Sequence, residues 1–367
     1  MTTDDTPVVI AAYRTPIGTA GGALREHTVD ALAAPVLAAL AEEAGIGVDD
    51  VLLGNVFGPG GNPARVAALA AGLGDTVPGL TLDRQCASGL AAIVTAATAI
   101  RAGDGVAYLA GGVESPSTAP ARTRPDGVGY TRAPFAPAGR PDPDMGPAAD
   151  AVAARAGITR ERQDAFAARS HARAVAAQRA GRFDAEIVPV GTADTDERPR
   201  DRFTPERLAR FRPAFTPDGT HTAASSCGVN DGAAAVLIVS EARRRQLGVP
   251  GLALDAAATR GCDPELLGLG AVPAIRALPG DPPDAVEFTE AFAGQVLACL
   301  DATGLDEHTA GPDGGAIALG HPWGASGAVL VVRLFHRLVV QQRGETGLAA
   351  LSSGGGLGVA TRWRVVR

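Results

Sequence analysis

The 367-residue chain contains no lysine: all 33 basic residues are arginine. That absence excludes Schiff-base chemistry, a lysine-anchored pyridoxal cofactor and a phosphate-loop lysine. Aromatic residues are scarce at 4%, while glycine (47 residues) and alanine are abundant, so the core is expected to be close-packed small side chains. No clustered basic stretch stands out against a net charge of −7, and nucleic acid is not an expected partner. The four cysteines, Cys86, Cys227, Cys262 and Cys299, form no Cys-x-x-Cys pair. Neither a zinc site nor a disulfide framework is therefore expected, and a reducing, cytoplasmic setting is the default reading. The opening Met1-Thr-Thr-Asp-Asp is acidic, and no apolar run approaches the roughly 18 residues of a membrane span, so neither a signal peptide nor a membrane partner is expected.

At about 100–200 residues per domain, the length predicts two or three units. The spacing predicts strands over 7–12, 50–54, 106–110 and 233–239, and helices over 28–44, 64–71, 88–102 and 159–180. Pro35 is expected to kink the first helix or delay its start. Beyond residue 251 the order repeats: a strand at 252–256, a helix at 271–278, a strand at 285–288, helices at 293–300 and 325–341, and a strand at 348–351. Two α/β halves result, one from 1–115 with 223–250 and one from 251–367. Between them lies an insertion, 116–222, rich in Pro, Gly and Arg at both ends.

Cys86, in Asp83-Arg-Gln-Cys-Ala-Ser-Gly89, falls where a strand hands over to the 88–102 helix. A helix N-terminus carries unpaired N–H groups that lower a thiol pKa, so Cys86 reads either as a nucleophile or as a small buried apolar residue. His321, in Gly320-His-Pro-Trp-Gly324, occupies the matching place in the second half. Pseudo-symmetry would bring the two together as a Cys/His pair; alone, His321 reads equally as a hydrogen-bonded structural residue. The run Gly354-Gly-Gly-Leu-Gly358 offers either backbone N–H groups for an oxyanion or a tight turn. His27, His171, His308 and His336 read as solvated, and Glu114, Glu287 and Glu290 as orienting groups or salt-bridge partners.

Taken together these motifs resemble the thiolase family over nearly the whole chain. Val8-Val-Ile-Ala-Ala-Tyr-Arg-Thr-Pro-Ile-Gly18 is similar to the family's opening strand, Arg84-Gln-Cys-Ala-Ser-Gly-Leu90 to its nucleophile motif, and Gly111-Gly-Val-Glu-Ser115 to the strand end that follows. Met145-Gly146, Arg169-Ser-His-Ala-Arg173, Val229-Asn-Asp-Gly-Ala-Ala234, Glu290-Ala-Phe-Ala293 and Ala318-Leu-Gly-His-Pro322 follow in family order. The resemblance implies an α/β thiolase fold, a duplicated five-layered αβαβα sandwich with an inserted loop domain, assembled as a homodimer or homotetramer. It implies that Cys86 is acylated by an acyl-CoA or carrier thioester. It further implies that His321 activates the thiol and that the N–H groups of Cys86 and Gly354 hold the oxyanion. The insertion would bind CoA, with Met145 near the acyl group and Arg200 and Arg202 available to the phosphates. No permanently bound cofactor or metal is implied.

Three positions depart from the family pattern. Its Cys-x-Gly reads Ser352-Ser353-Gly354, so the second cysteine that shuttles the α-proton is a serine, a poor base at neutral pH. Its Asn-Glu-Ala-Phe, whose Asn holds an oxyanion-hole water, begins with Thr289. Its Asn-x-Ser-Gly block near the pantetheine arm reads Ser225-Ser-Cys227-Gly228. The expectation is an acyl-Cys86 transferase whose Claisen proton abstraction is impaired by Ser352. A conventional acetyl-CoA C-acetyltransferase or 3-ketoacyl-CoA thiolase is the alternative, and a catalytically silent subunit of this fold the other.

Overall fold

A computed structural model describes residues 3–367. Nine principal strands form one mixed sheet: β1 (Pro7–Arg14), β2 (Asp50–Gly54), β3 (Gly79–Leu82), β4 (Ala107–Glu114), β5 (Asn230–Ser240), β6 (Gly251–Gly261), β7 (Ala285–Phe288), β8 (Thr346–Ser353) and β9 (Leu357–Val366). Their spatial order is β7-β8-β9-β6-β1-β5-β4-β2-β3. The duplication is visible in the pairing. In the first half β2 runs parallel to β4, β4 antiparallel to β5, and β5 antiparallel to β1. In the second, β7 runs parallel to β8, β8 antiparallel to β9, and β9 antiparallel to β6. Where the first half adds β3, the second keeps a single parallel bridge between Val286 and Ala310. The halves join through a short antiparallel contact of β1 with β6, Val8 opposite Ala253 and Val9 opposite Leu252.

The helices are alanine-rich, the composition that costs least to fix in a helix. They include α1 (Val29–Ala44), α2 (Ser88–Ala102), α3 (Met145–Arg155), α4 (Arg160–Arg179), α5 (Ala293–Thr303) and α6 (Trp323–Phe335). Thr159 caps α4, its hydroxyl accepting from Arg162 N at 3.3 Å. Pro35 lies inside a continuous α1, so it neither delays nor splits that helix. The segment expected as a helix over 325–341 is α6 followed by a π-turn at His336–Val340. Residues 323–340 are long and apolar enough to cross a membrane by composition, contrary to the expectation that no run is; 83% of the segment is buried in this fold. Among the elements that escaped the periodicity are β9, and α3 at the end of the irregular stretch.

α2 and α6 lie against each other between the strands of the two halves. Their approach is set by glycine. A Cβ on Gly89 would stand 2.7 Å from the Gly324 carbonyl oxygen and 3.0 Å from Ala328 N. One on Gly112 of β4 would stand 2.0 Å from that same oxygen. No side chain fits there, so backbone rests on backbone. Around this crossing packs the main core, including Leu90, Ile93, Val331, Leu334, Leu351 and Trp363.

The insertion leaves after Glu114 and rejoins the sheet at Asn230. Buried charges tie it to both halves. Arg14 of β1 pairs with Asp196 at 2.7 Å and Glu186 at 2.8 Å, and Arg333 of α6 reaches Glu186 at 3.3 Å. Phe183 lies against both guanidiniums, 5.4 and 4.6 Å from its ring centre. Two histidines expected to be solvated are buried instead: His171 stacks edge-on against Phe203, and His336 bonds the Ala12 carbonyl oxygen at 2.8 Å. Their helices are covered on the sides that looked polar.

The crossing yields a direct test. Gly112→Ala should lower unfolding free energy by about 1–3 kcal/mol or more in urea denaturation, the cost of overpacking a filled site. Gly47→Ala, whose Cβ would meet nothing within 4 Å, should change it by less than about 0.5 kcal/mol.

Candidate active site

The chain leaves β3, turns through Arg84-Gln85-Cys86 and enters α2. Gln85 takes a left-handed φ of 52°, unusual for a side-chain-bearing residue. The turn is clamped from both sides. Ser88 Oγ accepts from Arg84 N at 2.8 Å and donates to Gln85 O at 2.6 Å. From the second half, Ser353 Oγ donates to Arg84 O at 2.8 Å and accepts from Ala87 N at 3.3 Å. The Cys86 turn of one half is thus held by the last residue of a strand of the other.

His321 precedes α6 in the same way. Its N–H donates to Asn230 Oδ1 at 2.9 Å, and its Nδ1 lies 2.6 Å from Ser326 Oγ, which donates to Pro322 O at 3.1 Å. With the serine proton used on that carbonyl, the network assigns the imidazole proton to Nδ1 and leaves Nε2 as the acceptor. Gly324 N–H donates to Glu114 at 2.9 Å. The same carboxylate accepts from Asn55 Nδ2, Val56 N and Phe57 N at 3.2, 3.1 and 2.9 Å. Glu114 therefore fastens the 55–57 loop to the start of α6, and burial raises its pKa to about 7.

A cavity of about 280 Å³ opens where the two helix N-termini meet, and Cys86, His321, Ser352, Gly354, Met145 and Cys227 all line it. Burial pushes the Cys86 thiol up to about 12, with Cys227 and Glu114 adding to it. The N–H groups of Cys86 and Gly354 reach the sulfur and pull the other way. The expected lowering at a helix N-terminus is thus outweighed by desolvation. Burial also lowers His321 to about 4. At rest the thiol and the imidazole that line this cavity are both neutral.

Four expected site residues lie elsewhere. Thr289 is buried beside Glu287, Ser326 and Arg333 in a separate small pocket. Ser225 Oγ accepts from Thr222 N at 2.9 Å inside a buried turn. Arg200 and Arg202 line an outer cleft with Gln178 and Arg179. Ser352 reaches the cavity, yet its hydroxyl donates to Gly268 O at 2.6 Å and accepts from Ala271 N at 3.0 Å and Gln295 Nε2 at 3.3 Å. Cys227 belongs to the site, its thiol raised to about 12 by burial while Arg198 opposes. Glu287 and Glu290 are buried away from the cavity and raised to about 7 by burial; Glu290 accepts from Ser170 Oγ at 2.6 Å. The motif reading passed over Phe57, Phe135, Phe292 and Trp323, all on the cavity wall. Trp323, one of two tryptophans and two residues past His321, carried a signal; Phe135, in an aperiodic stretch, carried none.

The model of the thiolase N-terminal domain matches residues 7–242, and that of the thiolase C-terminal domain residues 250–364. The chain belongs to the thiolase family. It is 42% identical over 387 residues to an acetyl-CoA acetyltransferase of Pseudomonas aeruginosa, covering 96% of this chain and 98% of that protein. It is 43% identical over 385 residues to one of Chromobacterium violaceum, covering 96% and 97%. Among solved structures, the Bacillus anthracis acetyl-CoA acetyltransferase superimposes with a TM-score of 0.92 at 37% identity, covering 98% of this chain and 99% of that one. The thiolase fold and its use of CoA thioesters without a permanent cofactor follow for this chain.

The pKa directions predict two pH profiles. Because His321 is lowered, its base form persists down to about pH 4, so kcat/KM for thioester cleavage should stay flat to about pH 5 and fall only below it. Because Cys86 is raised, its alkylation by iodoacetamide without substrate should still be climbing at pH 9–10. An acid limb near 6.5, or alkylation levelling off near neutrality, would contradict the burial argument.

Proposed function

We propose that this thiolase transfers acyl groups through an acyl-Cys86 thioester, in the carbon–carbon acyl transfer of an acetyl-CoA C-acetyltransferase or 3-ketoacyl-CoA thiolase. The observation carrying this reading is the convergence of Cys86, His321 and the Gly354 N–H on one cavity. In the first step Cys86 Sγ attacks the thioester carbonyl carbon while His321 Nε2 takes the thiol proton. The carbonyl oxygen becomes an oxyanion between the N–H groups of Cys86 and Gly354. When the carbon–sulfur bond to CoA breaks, His321 returns that proton to the departing thiolate. Neutral partners suit this sequence, since charge appears only when the substrate has excluded water. The insertion supplies the cavity-side contacts to CoA through Met145 and Arg132, with Arg200 and Arg202 left for the outer phosphates. Assembly as a homodimer or homotetramer in a reducing, cytoplasmic compartment belongs to the same proposal.

The names of the relatives favour this conventional reading over the impaired Claisen step expected from Ser352. One observation keeps the second reading in play: the Ser352 hydroxyl is spent on Gly268, Ala271 and Gln295. An acceptor needing no α-proton removal would not require a base there.

Thiolysis of acetoacetyl-CoA separates the two. The conventional reading expects wild-type turnover within about tenfold of Ser352→Cys, whereas the second expects Ser352→Cys to gain about 10²–10⁴-fold, the usual worth of a general base. Cys86→Ala should abolish both turnover and the acyl mass increment on the protein; retention of either would refute the acyl-Cys86 route.

A further inference from the structure

Ser326, the partner of His321 Nδ1, also lines a small pocket of about 20 Å³ together with Glu287, Thr289 and Arg333. Glu287 comes from β7 and Thr289 from just past its end, while Ser326 and Arg333 lie on α6. The rest of the pocket wall is aliphatic or glycine, so the polar groups meet one another against an apolar background.

Three of those groups present unpaired atoms. Glu287 Oε1, Thr289 Oγ1 and Arg333 Nε are buried, and none has a hydrogen-bond partner among the described residues. Their residues are only 1%, 3% and 5% exposed, so bulk water does not serve them. Glu287 Oε1 and Arg333 Nε stand 3.6 Å apart, too far for a direct hydrogen bond. Arg333 Nη1 is already engaged by Glu186 at 3.3 Å. Buried polar atoms are costly to leave unpaired, and three on one small pocket call for a shared partner.

The count of donors and acceptors identifies that partner. Arg333 Nε and the Thr289 hydroxyl have protons to give, and Glu287 Oε1 has lone pairs. Ser326 Oγ donates to Pro322 O at 3.1 Å and receives the Nδ1 proton of His321 at 2.6 Å, which leaves it one lone pair. Two donors and two acceptors are the complement of a single water molecule. The pocket also has the size of one, since a water needs roughly 10–15 Å³ by this measure. Glu287 would repel an anion there, and Arg333 a metal cation.

We propose that one structural water fills this pocket, donating to Glu287 Oε1 and Ser326 Oγ and accepting from Arg333 Nε and Thr289 Oγ1. Glu287, Thr289 and Arg333 are then positioning residues for His321. With both its lone pairs taken, the water has only a proton to offer Ser326. A serine oxygen that receives both this proton and Nδ1–H keeps its own on Pro322 O. The imidazole proton therefore stays on Nδ1, and Nε2 stays free to act as a base. Glu287 Oε1 accepts whether the group is ionised or carries its proton on the other oxygen, so the arrangement does not depend on its titration. Glu287 and Thr289 do not line the cavity that holds Cys86, so this water supports the imidazole and does not meet an oxyanion. The inference rests on the proposed role of His321 in acyl-Cys86 formation; no bond is made or broken in the pocket.

A high-resolution crystal structure of the full-length protein should show one water within about 2.5–3.2 Å of all four atoms. Absence of that water, or side chains closing the pocket by direct contact, would overturn the inference. Thr289→Val keeps the shape but removes one donor, and Thr289→Ser keeps the donor. With acetyl-CoA as donor, Thr289→Val should slow Cys86 acylation about three- to tenfold in kcat with KM unchanged, the worth of one hydrogen bond, and Thr289→Ser should not. Nitrogen NMR of isotopically labelled histidine, with the His321 signal assigned by its loss in His321→Gln, should show the Nδ1-protonated tautomer in wild type and Thr289→Ser. Thr289→Val should admix the other tautomer. An unchanged rate and tautomer in Thr289→Val, or equal losses in both variants, would overturn the positioning role. Should Thr289→Val fail to fold, the crystal structure decides alone. Failure of the wild type to take up an acyl group would overturn the acyl-Cys86 reading, while the crystal structure still decides the water.

Discussion

The contact between α2 and α6 governs everything built at their ends. Glycine at 89 and 112 lets the first turn of α6 lie directly on α2 and β4, so two helix N-termini from two halves meet at one point. Duplication alone would place Cys86 and His321 in equivalent positions. Only the loss of side chains at the crossing brings those positions to a common cavity. The clamps then work across the seam: Ser353 of the second half holds the Cys86 turn, and Glu114 of the first holds Gly324.

Burial at that seam determines the electrostatics. A thiol raised to about 12 and an imidazole lowered to about 4 do not form an ion pair at rest. The site stores its polarity in fixed donors, the Cys86 and Gly354 N–H groups, rather than in a preformed thiolate. In the proposed acyl transfer such donors would gain strength as substrate displaces water from around the developing oxyanion.

Much of this was legible in the residue order. The repeat of elements after 251 anticipated matched sheets, and the placement of Cys86 and His321 before corresponding helices anticipated that both would face one cavity. Where the reading failed, it did so for physical reasons. Thr289 stands just past the end of β7, two residues beyond Glu287, and faces with it the small pocket that Ser326 also lines. His336 follows Phe335 on a segment that looks half-polar until β1 covers it. The thiol's shift depends on how much water the insertion removes, a tertiary quantity without a local pattern. The aromatic wall has four contributors scattered between Phe57 and Trp323, and no periodicity links them.

The sharpest measurement is a crystal structure of the enzyme trapped as its acyl thioester, for example after soaking with a slowly cleaved donor. The thioester carbonyl oxygen should accept from both the Cys86 and Gly354 N–H groups, with His321 Nε2 facing the sulfur and Nδ1 still bound to Ser326. A carbonyl directed away from those two amides, or an imidazole rotated off Ser326 and out of reach of residue 86, would show that the crossing of α2 and α6 does not assemble the reacting groups.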